Sequence, residues 1–302
     1  DAVVKHHLED EGQNILPAIS RLIGAARSSK TKMHISHFKS LGRSSWDYFS
    51  KALEMVETAR KEGVKITYDF FPYTKTGSSL FAALPPWFRK YSPEEANLIL
   101  SSAGDKRRQE LKDYLKKMTL HYDKIIIASA TSGLGAPGKT IGQIAAESGR
   151  DGEEVILNLL EANDLRVSIF NEVISEFNLE LIAKDRFSVV SSDGVGYDFS
   201  AKKTNDLPHP RSFGTFPRAI SQLVKNKGIM PLETMISKMT GLPAHILGIK
   251  DRGTIEKDKK ADLVVFDEGL MEDTATYEKP FASPPGIQYV FVNGQAVISS
   301  GK

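Results

Sequence analysis

The sequence predicts an α/β fold, with parallel strands covered by helices. Two observations point there. Over the first two thirds of the chain, apolar bursts of strand length alternate with segments of helical periodicity. The chain has 302 residues, 40% of them hydrophobic, which is enough for one large core or for two domains. In such folds the chemistry sits at the carboxyl ends of the strands. Polar residues at those ends are therefore the ones to inspect.

The expected strands are AVV (2–4), KMHISH (32–37), VKITYDFF (64–71), KIIIASA (124–130), RVSIF (166–170) and FSVVSS (187–192). Helices are expected between them. NILPAISRLIGAA (14–26) places Ile15, Ile19, Leu22 and Ile23 on one face. WDYFSKALEMVETARKEG (46–63) ends at Gly63, a plausible cap, and EEVILNLLEAN (153–163) is a shorter helix. After residue 215 the pattern changes. FPRAISQLVKNKG and PLETMISKMTGLPAHILG read as helices, followed by short strands DLVVFD (262–267), IQYVFV (287–292) and QAVIS (295–299). Asn293-Gly294 between the last two is a strong hairpin signal. This tail is expected to form a small β subdomain.

Composition excludes several classes of function. Lys and Arg total 40 against 38 Asp and Glu, a net charge of +2 spread along the chain. That is no concentrated basic stripe, so a nucleic-acid partner is not expected. No run of about 18 apolar residues exists to span a membrane, and the first residues do not form a signal peptide. The chain has no cysteine. It therefore has no disulfide framework and no Cys metal cluster, which fits a reducing, cytoplasmic setting.

Four strand ends carry unusual polar groups. In MHISHFK, strand alternation puts Met33, Ile35 and His37 on one face and His34 and Ser36 on the other. His37 at the carboxyl end is either a metal-binding imidazole or a hydrogen-bonded structural histidine. In SVVSSDG, Asp193 either binds metal or shuttles a proton, or it simply makes an Asp-Gly turn. In TYDFFPYT, Asp69 lies mid-strand among aromatics and needs partners, whether structural or catalytic. Tyr73 can offer its hydroxyl to a ligand. At the start, His6 reads as solvated, whereas His7 can reach the pocket of His37.

GLGAPGKT (133–140) matches G-x-x-x-x-G-K-[ST] at every position, after an apolar strand and before TIGQIAAES. A phosphate loop is thus one reading of the chain. Pro137 removes a backbone donor beside Gly138, which weakens any phosphate nest.

Taken together, MHISHFK, YDFFPYT, SSDG, HPRSFGTFPR (209–218), the long segment 231–267 and IQYVFVNGQAV (287–297) resemble the N-acyl-D-amino-acid deacylases, or D-aminoacylases, of the amidohydrolase superfamily. The matches keep their order over essentially the whole chain. The resemblance implies a (β/α)8 TIM-type barrel of the metal-dependent hydrolase kind with a small β subdomain. The partial barrel would span 1–250 and the subdomain strands 251–302. It also implies one or two divalent metal ions, zinc first, and a small N-acylated amino acid as substrate.

Residue by residue, His37 corresponds to the family's zinc histidine in I-S-H, and Asp193 to the proposed general acid/base at the last barrel strand. His7 matches the His of H-M-R-N-E, with Glu9 in place of the Arg. Asp69 and Tyr73 fall on D-x-Y-P-Y, with Phe71 replacing the first Tyr, and His209 and Arg211 keep H-P-R. Tyr73, Arg211, Asp69 and His209 are the expected substrate-binding residues. On this reading Gly138, Lys139 and Ile141 keep the family's G-K-x-I for local reasons, not for a nucleotide. The family's H-x-H strand and metal-binding Cys have no counterpart here. The chain is therefore expected to be the carboxyl-terminal part of such an enzyme, with at most six barrel strands. The alternative is a catalytically incomplete fragment or scaffold.

Overall fold

A computed structural model describes residues 2–118, 120–132, 137–197 and 206–301. Strand β1 (Val3–His6) leads to helix α1 (Ile15–Ser29), then β2 (Lys32–Ile35), α2 (Tyr48–Lys61) and β3 (Ile66–Phe70). A long excursion follows: β4 (Lys75–Ser79), α3 (Pro93–Ser101), α4 (Lys106–Lys117), β5 (Ile125–Ala130), α5 (Ile141–Ser148), α6 (Gly152–Ala162) and β6 (Val167–Glu172). The chain returns through α7 (Glu176–Lys184) to β7 (Ser188–Val190).

Among the described residues the strands form three sheets. β1, β2, β3 and β7 lie in that order, all parallel, with Ile35 beside Tyr68 and Phe70 beside Val190. Every strand therefore delivers its carboxyl end to the same rim. Helix α1 explains itself. Ile15, Ile19, Leu22, Ile23 and Ala26 recur at three- and four-residue spacing and are buried. They pack with Phe38, Phe49, Val56, Tyr68 and Leu179 in one core cluster on this sheet.

Two expected barrel strands belong elsewhere. β5 and β6, the segments KIIIASA and RVSIF, pair antiparallel with each other, and β4 pairs antiparallel with β6. The parallel sheet thus holds four strands, not six. An apolar run specifies a buried strand, but not the direction of its partner. β4 has no counterpart among the strands the sequence predicts. Its sequence KTGSS has no apolar alternation, and it is a strand because β6 supplies the ladder. This sheet has its own core, in which Ile125, Ile127, Val167 and Ile169 meet Leu111, Leu115, Ile156 and Leu160 from α4 and α6. Each such side chain contributes roughly 1.5–3 kcal/mol on leaving water.

The remaining helices are α8 (Arg211–Arg218), which runs on into a π-helical stretch at Ala219–Asn226, α9 (Leu232–Met239) and α10 (Gly241–Leu247). Strands β8 (Leu263–Phe266), β9 (Ile287–Val292) and β10 (Gln295–Ile298) form the third sheet, antiparallel throughout. Asn293 and Gly294 both have positive φ, 51° and 80°, so the hairpin signal holds. No helix among the described residues is long and apolar enough to cross a membrane.

Candidate active site

The rim at the carboxyl ends of β1, β2, β3 and β7 gathers the ionisable groups. Just beyond β2, His37 has φ 40°, and beyond β7, Asp193 has φ 45°. A non-glycine residue in this region costs on the order of 1–3 kcal/mol, and such strain concentrates at functional sites. It also ends the strand alternation: β2 stops at Ile35, and His37 turns out of the sheet.

His7 follows β1 and brings its Nδ1 to 2.6 Å from His37 Nε2, with ring centroids 4.6 Å apart. The other nitrogen of His37, Nδ1, lies 3.0 Å from Glu11 Oε1 and 2.8 Å from Lys39 Nζ. Lys39 also donates to Glu11 at 2.7 Å and to the His37 carbonyl at 3.2 Å. Burial lowers the Lys39 pKa, against the pull of Glu11. Burial would raise that of Glu11, but hydrogen bonds and charge from His37 and Lys39 outweigh it, so Glu11 stays below the usual carboxylate range. Neither Glu11 nor Lys39 was singled out from sequence. Their signal was spacing on either side of a strand tip, which only the turns bring together.

Asp193 shares this rim. Arg211 Nη1 lies 3.0 Å from Asp193 Oδ2, an ionic contact without an aligned hydrogen bond. The Arg211 guanidinium sits 4.9 Å from the Phe71 ring centre, and Lys39 Nζ sits 5.9 Å from the same ring. His37, Lys39, Phe71, Arg211 and Asp193 therefore run in sequence along one mouth. The close approach of Gly194 to Ser212 holds the loop there, since a Cβ would stand 2.8 Å from Ser212 Cα. Below lies a cleft of ≈ 600 Å³, with Asp193, Arg211, Ser212 and Tyr197 on one side and Ser78, Ser129, Ser168 and Phe170 of the antiparallel sheet on the other.

The other expected substrate residues are placed differently. Tyr73 is buried and donates its hydroxyl to Asp273 at 2.9 Å, while Arg218 stacks 4.6 Å from its ring, so the hydroxyl is spent inside the protein. His209 lines the cleft but is buried, and both its nitrogens are taken. Nε2 donates to the Lys75 carbonyl at 3.0 Å, and Nδ1 accepts from Arg211 N–H at 3.0 Å. Burial, then the charge of Arg211, pushes its pKa down to about 3. His209 thus presents Arg211 rather than a ligand. Asp69 is 3% exposed and turns its oxygens to the protein. Oδ1 accepts from His37 N–H at 2.7 Å, and Oδ2 lies 2.9 Å from His34 Nε2.

The donor set suits a borderline-soft divalent cation. Two imidazoles with facing nitrogens are the ligands zinc favours, and Glu11 on the far nitrogen of His37 is the orienting carboxylate such ligands carry. A catalytic zinc takes three protein ligands. Among the described residues no group of three or more His, Asp or Glu side chains is gathered to hold a metal.

Residues 133–136 of the glycine-rich stretch lie outside the described residues. The rest serves α5. Lys139 pairs through Nζ with Glu147 at 2.6 Å. Thr140 accepts from Gln143 N–H at 3.1 Å, and the Gln143 side chain accepts from Thr140 N–H at 2.8 Å, a reciprocal capping box.

Comparison with known proteins shows the family and what the chain is similar to. The profile of the amidohydrolase family matches residues 107–298. The D-aminoacylase of Alcaligenes xylosoxydans xylosoxydans is 28% identical over 96% of this chain and 50% of its own length. The crystal structure of N-acyl-D-glutamate deacylase from Bordetella bronchiseptica, complexed with zinc and a phosphonate inhibitor, superposes with a TM-score of 0.74 at 26% identity, covering 97% of this chain and 52% of that one. A D-aminoacylase with a binuclear metal centre gives a TM-score of 0.74 at 26% identity, with 99% and 53% covered. The chain spans about half the length of the relatives it matches.

Proposed function

The chain belongs to the amidohydrolase family, and from that premise we propose that it forms the proton-transfer and substrate-anchoring side of a zinc-dependent N-acyl-D-amino-acid deacylase. The observation that carries this is the shared rim. His7 and His37 face one another, and Asp193, on a strained turn, stands at the same mouth beside the cleft that Arg211 lines. His7 and His37 would hold the metal. Zinc, when bound, supplies a Lewis acid and lowers the pKa of a water. We also read the four-stranded parallel sheet as part of a (β/α)8 barrel within residues 1–250, with 251–302 as subdomain strands. The remaining strands and ligands would come from the half of the relatives' length that this chain does not match.

The chain's own residues then divide the work. Arg211 offers the substrate carboxylate an Nη1 that makes no aligned hydrogen bond, and His209 fixes the Arg211 backbone. Asp193 takes one proton from the water as its oxygen bonds the acyl carbon. It returns that proton to the amine nitrogen as the C–N bond breaks, leaving a carboxylic acid and a free amino acid. Tyr73 and Asp69 support this site from within the protein. The setting we propose is the cytoplasm.

Asp193→Asn keeps the shape and removes the base. We expect kcat for N-acyl-D-amino-acid hydrolysis to fall by roughly 10²–10⁴, with zinc content and melting temperature unchanged. Full activity in this variant would refute the assignment. A second reading, a catalytically incomplete scaffold, draws on the two-imidazole donor set. Zinc analysis of the purified protein separates the two. A tight, stoichiometric ion speaks for the enzyme, and none speaks for the scaffold.

A further inference from the structure

Beneath the rim, on the strands themselves, lies a polar pair that the reaction above does not use. His34 on β2 and Asp69 on β3 are both buried, at 8% and 3% exposure. His34 Nε2 is 2.9 Å from Asp69 Oδ2, and its Nδ1 is 2.8 Å from Thr67 Oγ1. Lys5 Nζ on β1 stands 3.9 Å from the same Oδ2. Together with Ser191 and Ser192 they line a cavity of ≈ 340 Å³, separate from the Asp193 cleft. A buried carboxylate with this many partners is a fixed point, and the other oxygen of Asp69 shows what it fixes. Oδ1 accepts the backbone N–H of His37 at 2.7 Å, while the Asp69 backbone carbonyl accepts from Phe38 N–H at 2.8 Å.

Those two bonds bracket the residue whose φ is 40°. A left-handed residue with a side chain persists only where its surroundings over-determine it. Here one aspartate supplies two of the fixing bonds, through its side chain and its main chain, beside the Lys39 bond to the His37 carbonyl. We infer that Asp69, anchored by His34, is a positioning residue that holds the His37 turn and so aims the His37 imidazole at His7. This assigns a metal-site support where the family resemblance implied a substrate contact, and it rests on the proposed metal role of His37. The inner pair is thus a brace whose load is a backbone angle. It requires an acceptor at Asp69 Oδ1, not a negative charge as such.

The acceptor requirement sets the test. Asp69→Ala removes it, whereas Asp69→Asn keeps an oxygen at the same place. Amide hydrogen exchange of residues 36–38 in metal-free protein reads the turn directly. Cobalt(II) titration, followed by its visible absorption, reads the imidazole pair. We expect Asp69→Ala to lose exchange protection at 36–38 and to bind cobalt about 10–100-fold more weakly, as loss of an outer-shell partner does. Asp69→Asn should restore both to within about threefold of wild type. If Asp69→Asn is as defective as Asp69→Ala, charge matters and the positioning role is wrong. It is equally wrong if Asp69→Ala keeps its exchange protection and cobalt affinity and only raises KM. Should Asp69→Ala not fold, His34→Ala against His34→Gln, which can still donate to Asp69, gives the same contrast, and no loss of protection in His34→Ala overturns the anchor. If wild type itself binds no cobalt, the metal reading fails, and hydrogen exchange alone still decides the positioning role.

Discussion

The parallel sheet and the β4–β6–β5 sheet both contain buried apolar strands, yet they divide the labour. The parallel sheet sends His7, His37 and Asp193 to one rim. The antiparallel sheet faces the cleft with Ser78, Ser129, Ser168 and Phe170. Direction is the reason. Parallel strands place every carboxyl end on the same edge, so polar residues one or two positions past each strand accumulate there. Antiparallel strands alternate their ends, so their tips scatter, and the sheet offers a flat wall instead. The two units also keep separate cores, one under α1 and α2, the other under α4 and α6. Chemistry and shape are therefore carried by different regions.

After the Asp193 substitution, the largest expected effect concerns His209, the side chain that ties the two regions together through the β4 carbonyl of Lys75 and the N–H of Arg211. Its folded pKa is about 3, against an ordinary 6.5. Above pH 6.5 the imidazole is neutral in both folded and unfolded chains, and the fold keeps its full stability. As pH falls from 6.5 toward 3, only the unfolded chain takes up the proton, so stability drops with each step. The loss across that window is about 3–5 kcal/mol. Urea unfolding of wild type and His209→Gln at pH 7 and pH 4 checks this. Glutamine can keep both hydrogen bonds without titrating, so its acid limb should be flatter. Equal limbs would show that His209 does not couple the regions in this way.

Leu160→Ala sharpens the separation of the cores. Leu160 is fully buried in the second cluster, and its truncation should cost about 2–5 kcal/mol. Chemical denaturation measures that loss. Zinc or cobalt affinity at the rim should stay at the wild-type value. A parallel loss of metal binding would mean that the two units are one cooperative structure. The smallest effect is expected at Lys139. Its pair with Glu147 is largely exposed, so Lys139→Ala should change stability by about 0–1 kcal/mol. ATP should not raise the melting temperature of either protein. An ATP-dependent rise that vanishes in Lys139→Ala would reinstate the phosphate loop.

The sequence by itself determined several of the elements and the strand tips. Helix α1, the Asn293-Gly294 hairpin, His37 at the end of β2 and Asp193 after β7 were all legible, because periodicity and turn chemistry are local. Only the tertiary structure decided which strands pair in which direction. It made KTGSS a strand and moved two apolar runs out of the parallel sheet. It also set Glu11 and Lys39 on one nitrogen of His37, 26 and 2 residues away along the chain, and spent the Tyr73 hydroxyl on Asp273, 200 residues distant. The physical reason is one of range. A side chain's face follows from its neighbours in sequence, but its charge partner is chosen by packing across the whole fold.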